Sequence, residues 1–92
     1  MILNLITPDK AVIQKNSLDF IHLHLSNGYP ISIYPGHANL IALISDGRVE
    51  YRDDTTTHKY FTSDGLVIIK DDIVSCYVNW ADSEKNRDDD GK

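Results

Sequence analysis

An all-β fold is predicted, a two-sheet sandwich of about nine to ten short antiparallel strands. Three observations carry the prediction. Short apolar or alternating runs recur along the whole chain, separated by turn residues roughly every eight to ten positions. No window of useful length places apolar residues at helical spacing. Hydrophobic residues make up 41% of 92 positions, enough for one independent core.

The first run is Ile2 to Ile6, closed by Thr7-Pro8-Asp9-Lys10; Ala11 to Ile13 follows, then a polar break from Gln14 to Ser17. Leu18 to Leu25 alternates, with Phe20 and His22 on one face and Ile21, Leu23 and Leu25 on the other. Ser26-Asn27-Gly28 turns the chain into Ile31 to Tyr34, which meets Pro35-Gly36. Pro35 has no N–H for a ladder and Gly36 accepts backbone angles closed to other residues, so the pair makes a sharp corner presenting His37. Ala38 to Ile44 is the next strand. Asp46-Gly47 is a hairpin signal joining it to Arg48 to Arg52. Asp53-Asp54-Thr55-Thr56 leads to Thr57 to Thr62, Asp64-Gly65 introduces Leu66 to Lys70, and Asp71-Asp72 turns into Ile73 to Trp80. In that last strand the period of two puts Val74, Cys76, Val78 and Trp80 on the core side. After Trp80 only Ala81 is apolar, so the chain should fray. The expected organisation is a sandwich domain over residues 1–82 and an acidic, disordered tail over 83–92.

Composition narrows the function. Net charge is −5 and the nine Lys and Arg are scattered, which is no footprint for nucleic acid or for anionic lipid. The start of the chain lacks the basic and apolar regions of a signal peptide, and no run is long enough for a membrane helix. A soluble intracellular protein is expected, with membrane association only through a partner. The single cysteine, Cys76, rules out an internal disulfide and, on the core face, is expected to be a small buried hydrophobe.

Catalytic chemistry finds little support. His22 and His24 share a face, but zinc needs a third and usually a fourth ligand, so no metal site is assigned. The carboxylates at Asp53-Asp54, Asp71-Asp72 and Asp88-Asp89-Asp90 fall in turns or the tail, where they do not converge as acid and base. No nucleophile signature, phosphate-binding loop or spaced calcium loop is present, and no cofactor is expected. Surfaces remain. His37 either hydrogen-bonds locally to hold its corner or presents the His37–Leu40 edge to another protein. Tyr29, Tyr34, Tyr51, Tyr60 and Tyr77 suit half-buried strands and interfaces alike.

Ile33-Tyr34-Pro35-Gly36-His37-Ala38 resembles the central motif of the epsilon subunit of F-type ATP synthases, in its N-terminal β-sandwich domain. Other segments match in order. Leu3 to Lys10 is similar to the family's opening Leu-x-Ile-Val-Thr-Pro-Glu-Lys, Leu40 to Ile44 to the strand after the motif, and Gly47 to Tyr51 to a Gly-x-Val/Leu-x-Ile hairpin. Thr62 to Val67 is similar to a Val-Ser-Gly-Gly-Phe-Leu turn, and Ile73 to Asp82 to the closing strand. Ser32, Tyr29 and Asp64 stand where the family has Gly, and Asn39 where it has Pro, as in a divergent member or paralogue.

The resemblance implies a non-catalytic central-stalk rotor subunit, monomeric when isolated, peripheral at the cytoplasmic face of the cell membrane. It would join the gamma subunit to the c-ring and help couple proton or sodium flow to ATP synthesis. Carried over by position, Gly36, His37, Ala38, Asn39 and Leu40 would face gamma, and Asn27, Gly28, Tyr29 and Pro30 would face the ring. Family chains continue into a two-helix domain that restrains hydrolysis; the resemblance implies that this function is missing from a short form or fragment. The rivals are a stand-alone β-sandwich interaction module on an unrelated partner, and a metal-dependent sandwich enzyme.

Overall fold

The computed structural model describes residues 1–84. It contains ten strands: β1 (Ile2–Ile6), β2 (Ala11–Lys15), β3 (Phe20–His24), β4 (Pro30–Ile33), β5 (Leu40–Ile44), β6 (Gly47–Arg52), β7 (Thr57–Thr62), β8 (Gly65–Lys70), β9 (Ile73–Val78) and β10 (Ala81–Ser83). They form two five-stranded sheets, β2-β1-β9-β8-β5 and β10-β7-β6-β3-β4. Neighbouring strands are antiparallel except β1 and β9, which run parallel from Ile2↔Ile73 to Ile6↔Tyr77.

Alternation decides which residues enter the core. Leu3, Leu5, Ile44, Val67, Ile69, Val74, Cys76 and Val78 face inward from the first sheet. Ile21, Leu23, Ile33, Val49 and Tyr51 meet them from the second, and Leu18 packs in beside them. The expected two-sheet all-β sandwich is the fold observed.

Several local expectations need correction. Asp46-Gly47 does not close a hairpin: β5 lies in the first sheet and β6 in the second, so this turn carries the chain across the core. Gly47 serves the crossing with φ of 143°. The reason is that Ile44 and Val49 are both buried in the one core, from opposite layers; turn chemistry marks a reversal, not its pairing partner. Trp80 is not a core residue, because β9 ends at Val78 and the indole is 44% exposed. Ala81–Ser83, in the stretch after Trp80 that was expected to fray, form β10 and pair with Thr62, Phe61 and Tyr60 of β7. The backbone ladder there outweighs the scarcity of apolar side chains. The rest of the expected tail, 85–92, lies outside the described residues. At two more places the strand is shorter than the run: β3 begins at Phe20 and β5 at Leu40.

Candidate functional site

The Pro-Gly corner is a type II turn. Tyr34 accepts from the His37 N–H at 3.1 Å, with Pro35 and Gly36 at the central positions and Gly36 at φ 84°. The Gly36 N–H, aimed outward by that geometry, donates to Asp72 Oδ1 at 3.0 Å. Asp72 belongs to the β8–β9 turn, whose two central residues both have positive φ, 53° at Asp71 and 66° at Asp72. Such a turn joins two strands tightly but strains non-glycine residues. Neighbouring contacts hold it in place. The N-terminal amine of Met1 lies 3.3 Å from Asp72 Oδ2, and Asn39 Oδ1 accepts from the Asp71 N–H at 3.1 Å. The Gly36 N–H and the N-terminal amine, in that order, hold the Asp72 carboxyl below its usual range. Asn39 thus fastens the loop leading into β5 to the turn beside it. His37 is half-buried, and its Nδ1 lies 2.7 Å from the Ala38 carbonyl oxygen, which can only accept. Nδ1 therefore carries a proton.

The second loop assigned from sequence, Asn27 to Pro30, closes the β3–β4 hairpin. Gly28 donates to the Leu25 carbonyl at 2.8 Å with φ of 89°, and Asn27 Oδ1 accepts from the Tyr29 N–H at 3.0 Å. Tyr29 is the most exposed large apolar side chain, at 70%. The two loops sit at opposite ends of the four-residue β4, about 13 Å of strand apart. They do not form one patch.

The outer faces of the two sheets differ. On the second sheet Arg48, Glu50, Arg52 and Lys59 face outward. Arg48 lies 3.6 Å from Glu50 and 3.4 Å from Glu84, with its guanidinium 5.5 Å from the Phe61 ring centroid. Charged side chains dominate this face, with Phe20 beside Arg52 and Phe61 beside Arg48 half-buried among them. On the first sheet Ile41 lies beside Ile68, Leu43 beside Leu66, and Leu66 beside Tyr77, all pointing away from the core. Ile41 is 69% and Leu43 61% exposed. A contiguous exposed apolar surface on a small domain marks a contact face. Sequence reasoning missed it, although Leu40 to Ile44 and Leu66 to Ile69 are apolar at both parities, as a strand covered on two sides is.

The remaining candidates resolve into structural roles. His22 Nδ1 meets Ser32 Oγ at 2.7 Å, and its ring packs 4.3 Å from Phe20. Among the described residues no three His, Cys, Asp or Glu side chains gather as a metal site. His58 Nε2 lies 3.0 Å from Asp53 Oδ2, and that bond is the main cause holding the Asp53 carboxyl below its usual range. Tyr51 is buried, stacks 4.8 Å from His58, and has its hydroxyl pushed up to about 12 by burial, then by Tyr60 and Asp53. Cys76 is fully buried and its thiol is likewise pushed up to about 12. The tyrosines thus divide: Tyr51 in the core, Tyr60 packed against it, and Tyr29, Tyr34 and Tyr77 outside. Among the described residues no helix is long and apolar enough to cross a membrane.

Comparison with known proteins agrees with this geometry. The profile of the family described as ATP synthase, Delta/Epsilon chain, beta-sandwich domain matches residues 1–83. An ATP synthase epsilon chain of Elusimicrobium minutum (strain Pei191) is 23% identical over 88 residues. The match takes in 95% of this chain but only 64% of that relative's length. A chain in the cryo-EM structure of the Euglena gracilis mitochondrial ATP synthase OSCP/F1/c-ring assembly superimposes with a TM-score of 0.87 at 18% identity. That match covers 99% of this chain and 57% of the other. A chain in the Tetrahymena thermophila mitochondrial ATP synthase central stalk/c-ring structure gives 0.77 at 16% identity, covering 92% and 67%. At these identities the structural likeness is one of fold.

Proposed function

Because this chain belongs to the β-sandwich family of ATP synthase delta/epsilon chains, we propose that it is a non-catalytic rotor subunit of an F-type ATP synthase. It is seated in the central stalk between the gamma subunit and the c-ring, and so held peripherally at the membrane. The observation that carries the reading, beyond the family, is the contrast of faces: one sheet is charge-paired toward water and the other presents unpaired apolar side chains.

The proposed role is mechanical. Rotation must pass from ring to shaft without slip, which requires a body that does not deform between its two contacts. Two hydrogen-bonded sheets packed on one core provide that stiffness. The loop Gly36 to Leu40 meets gamma and the loop Asn27 to Pro30 faces the ring, at opposite ends of β4. The Asp72 and Asn39 bonds lock the first loop to the β8–β9 turn, so load on Gly36–Leu40 enters the first sheet directly. A persistent subunit contact of this kind buries on the order of 2,000 Å² or more in total.

The test is co-purification of a tagged chain from membranes of cells that make it. Gamma and ring subunits should be retained, and His37→Asp should reduce the retained gamma. Recovery of an unrelated partner, with no ATP synthase subunit, would establish instead the stand-alone interaction module.

A further inference from the structure

We propose that Asn27 is a self-modifying site, at which the Gly28 nitrogen attacks the Asn27 side-chain amide and turns a neutral loop into an anionic one. The inference is independent of the rotor reading, since it concerns only the covalent chemistry of the β3–β4 loop. Asn27 is the one asparagine in the sequence followed by glycine; Asn4, Asn16, Asn39, Asn79 and Asn86 all precede larger residues. Asn27 and Gly28 are both exposed. Apart from its chain neighbours, nothing lies within 4 Å of the place where a side chain on Gly28 would stand. With no Cβ of its own and open space around it, the Gly28 nitrogen can close on Asn27 Cγ unhindered.

The turn prepares the electrophile. Asn27 Oδ1 accepts from the Tyr29 N–H at 3.0 Å. That bond polarises the amide and sits where negative charge gathers on Oδ1 as the nitrogen adds, as an oxyanion donor does. It also folds the side chain back over the backbone, keeping Cγ beside the Gly28 nitrogen. The flanks are pinned: the Leu25 N–H donates to the Tyr29 carbonyl at 2.8 Å and the Ser26 N–H to the Leu43 carbonyl at 2.9 Å. One contact opposes attack, the Gly28 N–H bond to the Leu25 carbonyl at 2.8 Å. Gly28 is exposed, so this bond opens by local fraying. Hydroxide removes the Gly28 amide proton, the nitrogen–Cγ bond forms, and the Cγ–Nδ2 bond breaks as Nδ2 gains a proton and leaves as ammonia. Water then opens the five-membered imide. Cleavage of the new nitrogen–Cγ bond leaves an ordinary aspartate at position 27, and cleavage at the backbone carbonyl leaves its β-linked isomer. Either product makes the net charge one unit more negative than −5. The ordinary aspartate keeps an oxygen for the Tyr29 N–H, so the turn survives the change. The charge of this loop thus records the age of the chain.

The experiment holds the full chain in mildly alkaline buffer, natively and in guanidinium chloride, and follows position 27 by peptide mass mapping and ion exchange. The native chain should convert at Asn27 within about threefold of the unfolded rate, and at least about tenfold faster than at the exposed Asn16 or Asn79. The rate should rise with pH, because hydroxide takes the proton. Asn27→Gln, whose attack needs a six-membered ring, should yield none of the new acidic species. Gly28→Ala should slow conversion in denaturant, where no fold can be disturbed. An intact Asn27 in the native chain beside conversion in denaturant would mean that the hairpin shields the amide, and overturns the inference. Earlier conversion at another asparagine overturns it as well.

Discussion

Gly65→Ala tests the packing of β8 between β5 and β9. Gly65 opens β8 and pairs with Ile44 of β5 on one side and Val78 of β9 on the other. A Cβ there would collide with the Tyr77 carbonyl oxygen and stand 2.9 Å from Val78 Cγ1. The carbonyl cannot yield alone, because β9 is held between β8 and β1. Relief therefore requires a shift of one strand against its neighbour. Forced overpacking of this kind costs about 1–3 kcal/mol. The alanine recovers about 0.4–1 kcal/mol by restricting the unfolded chain, which leaves a net loss of about 1–2 kcal/mol. For a domain of this size each kcal/mol lowers Tm by roughly 4–8 °C, so calorimetry should show a fall of about 5–15 °C. Urea denaturation should give a lower midpoint with an unchanged slope. An unaltered Tm would show that β8 and β9 are not in this register at their start, and the arrangement of Leu66 beside Tyr77 would fall with it.

Two other perturbations address single groups. The Cys76 thiol, buried and pushed up to about 12, should resist alkylation by iodoacetamide at pH 8 in the native chain and react readily in denaturant. Equal rates in the two states would place Cys76 outside the core. Asp72 is held below its ordinary value of 3.8 by the Gly36 N–H and then the N-terminal amine. A depressed native pKa contributes stability that is complete above the unfolded value and is lost as pH falls through the native one. Melting temperature should therefore drop on acidification below about pH 4, and Asp72→Asn should flatten that limb while leaving the neutral range parallel to wild type. An acid limb identical in wild type and variant would dissociate Asp72 from the Pro-Gly corner.

Much of the fold was legible in the chain because the determining interactions are local. Alternation in Leu3 and Leu5, in Ile21 and Leu23, and in Val74, Cys76 and Val78 assigns each side chain to a face whatever sheet the strand later joins. Pro35-Gly36 dictates its turn with no outside help, and the motif around it led to the family. Pairing was less legible. Asp46-Gly47 marks a reversal equally well within a sheet or between two, and only the burial of Ile44 against the opposite layer decides. β10 was hidden because Ala81–Ser83 gain their order from the backbone of β7 and not from apolar side chains.

The site divides along the same line. His37 and the two loops could be named from sequence because a corner announces itself in its residue types. The exposed apolar face of the first sheet could not, since Ile41, Leu43, Leu66 and Tyr77 become one surface only when β5, β8 and β9 lie side by side in register. Periodicity carries the direction of a side chain, but adjacency between strands is a property of long-range pairing, and charge placement on a face follows from adjacency.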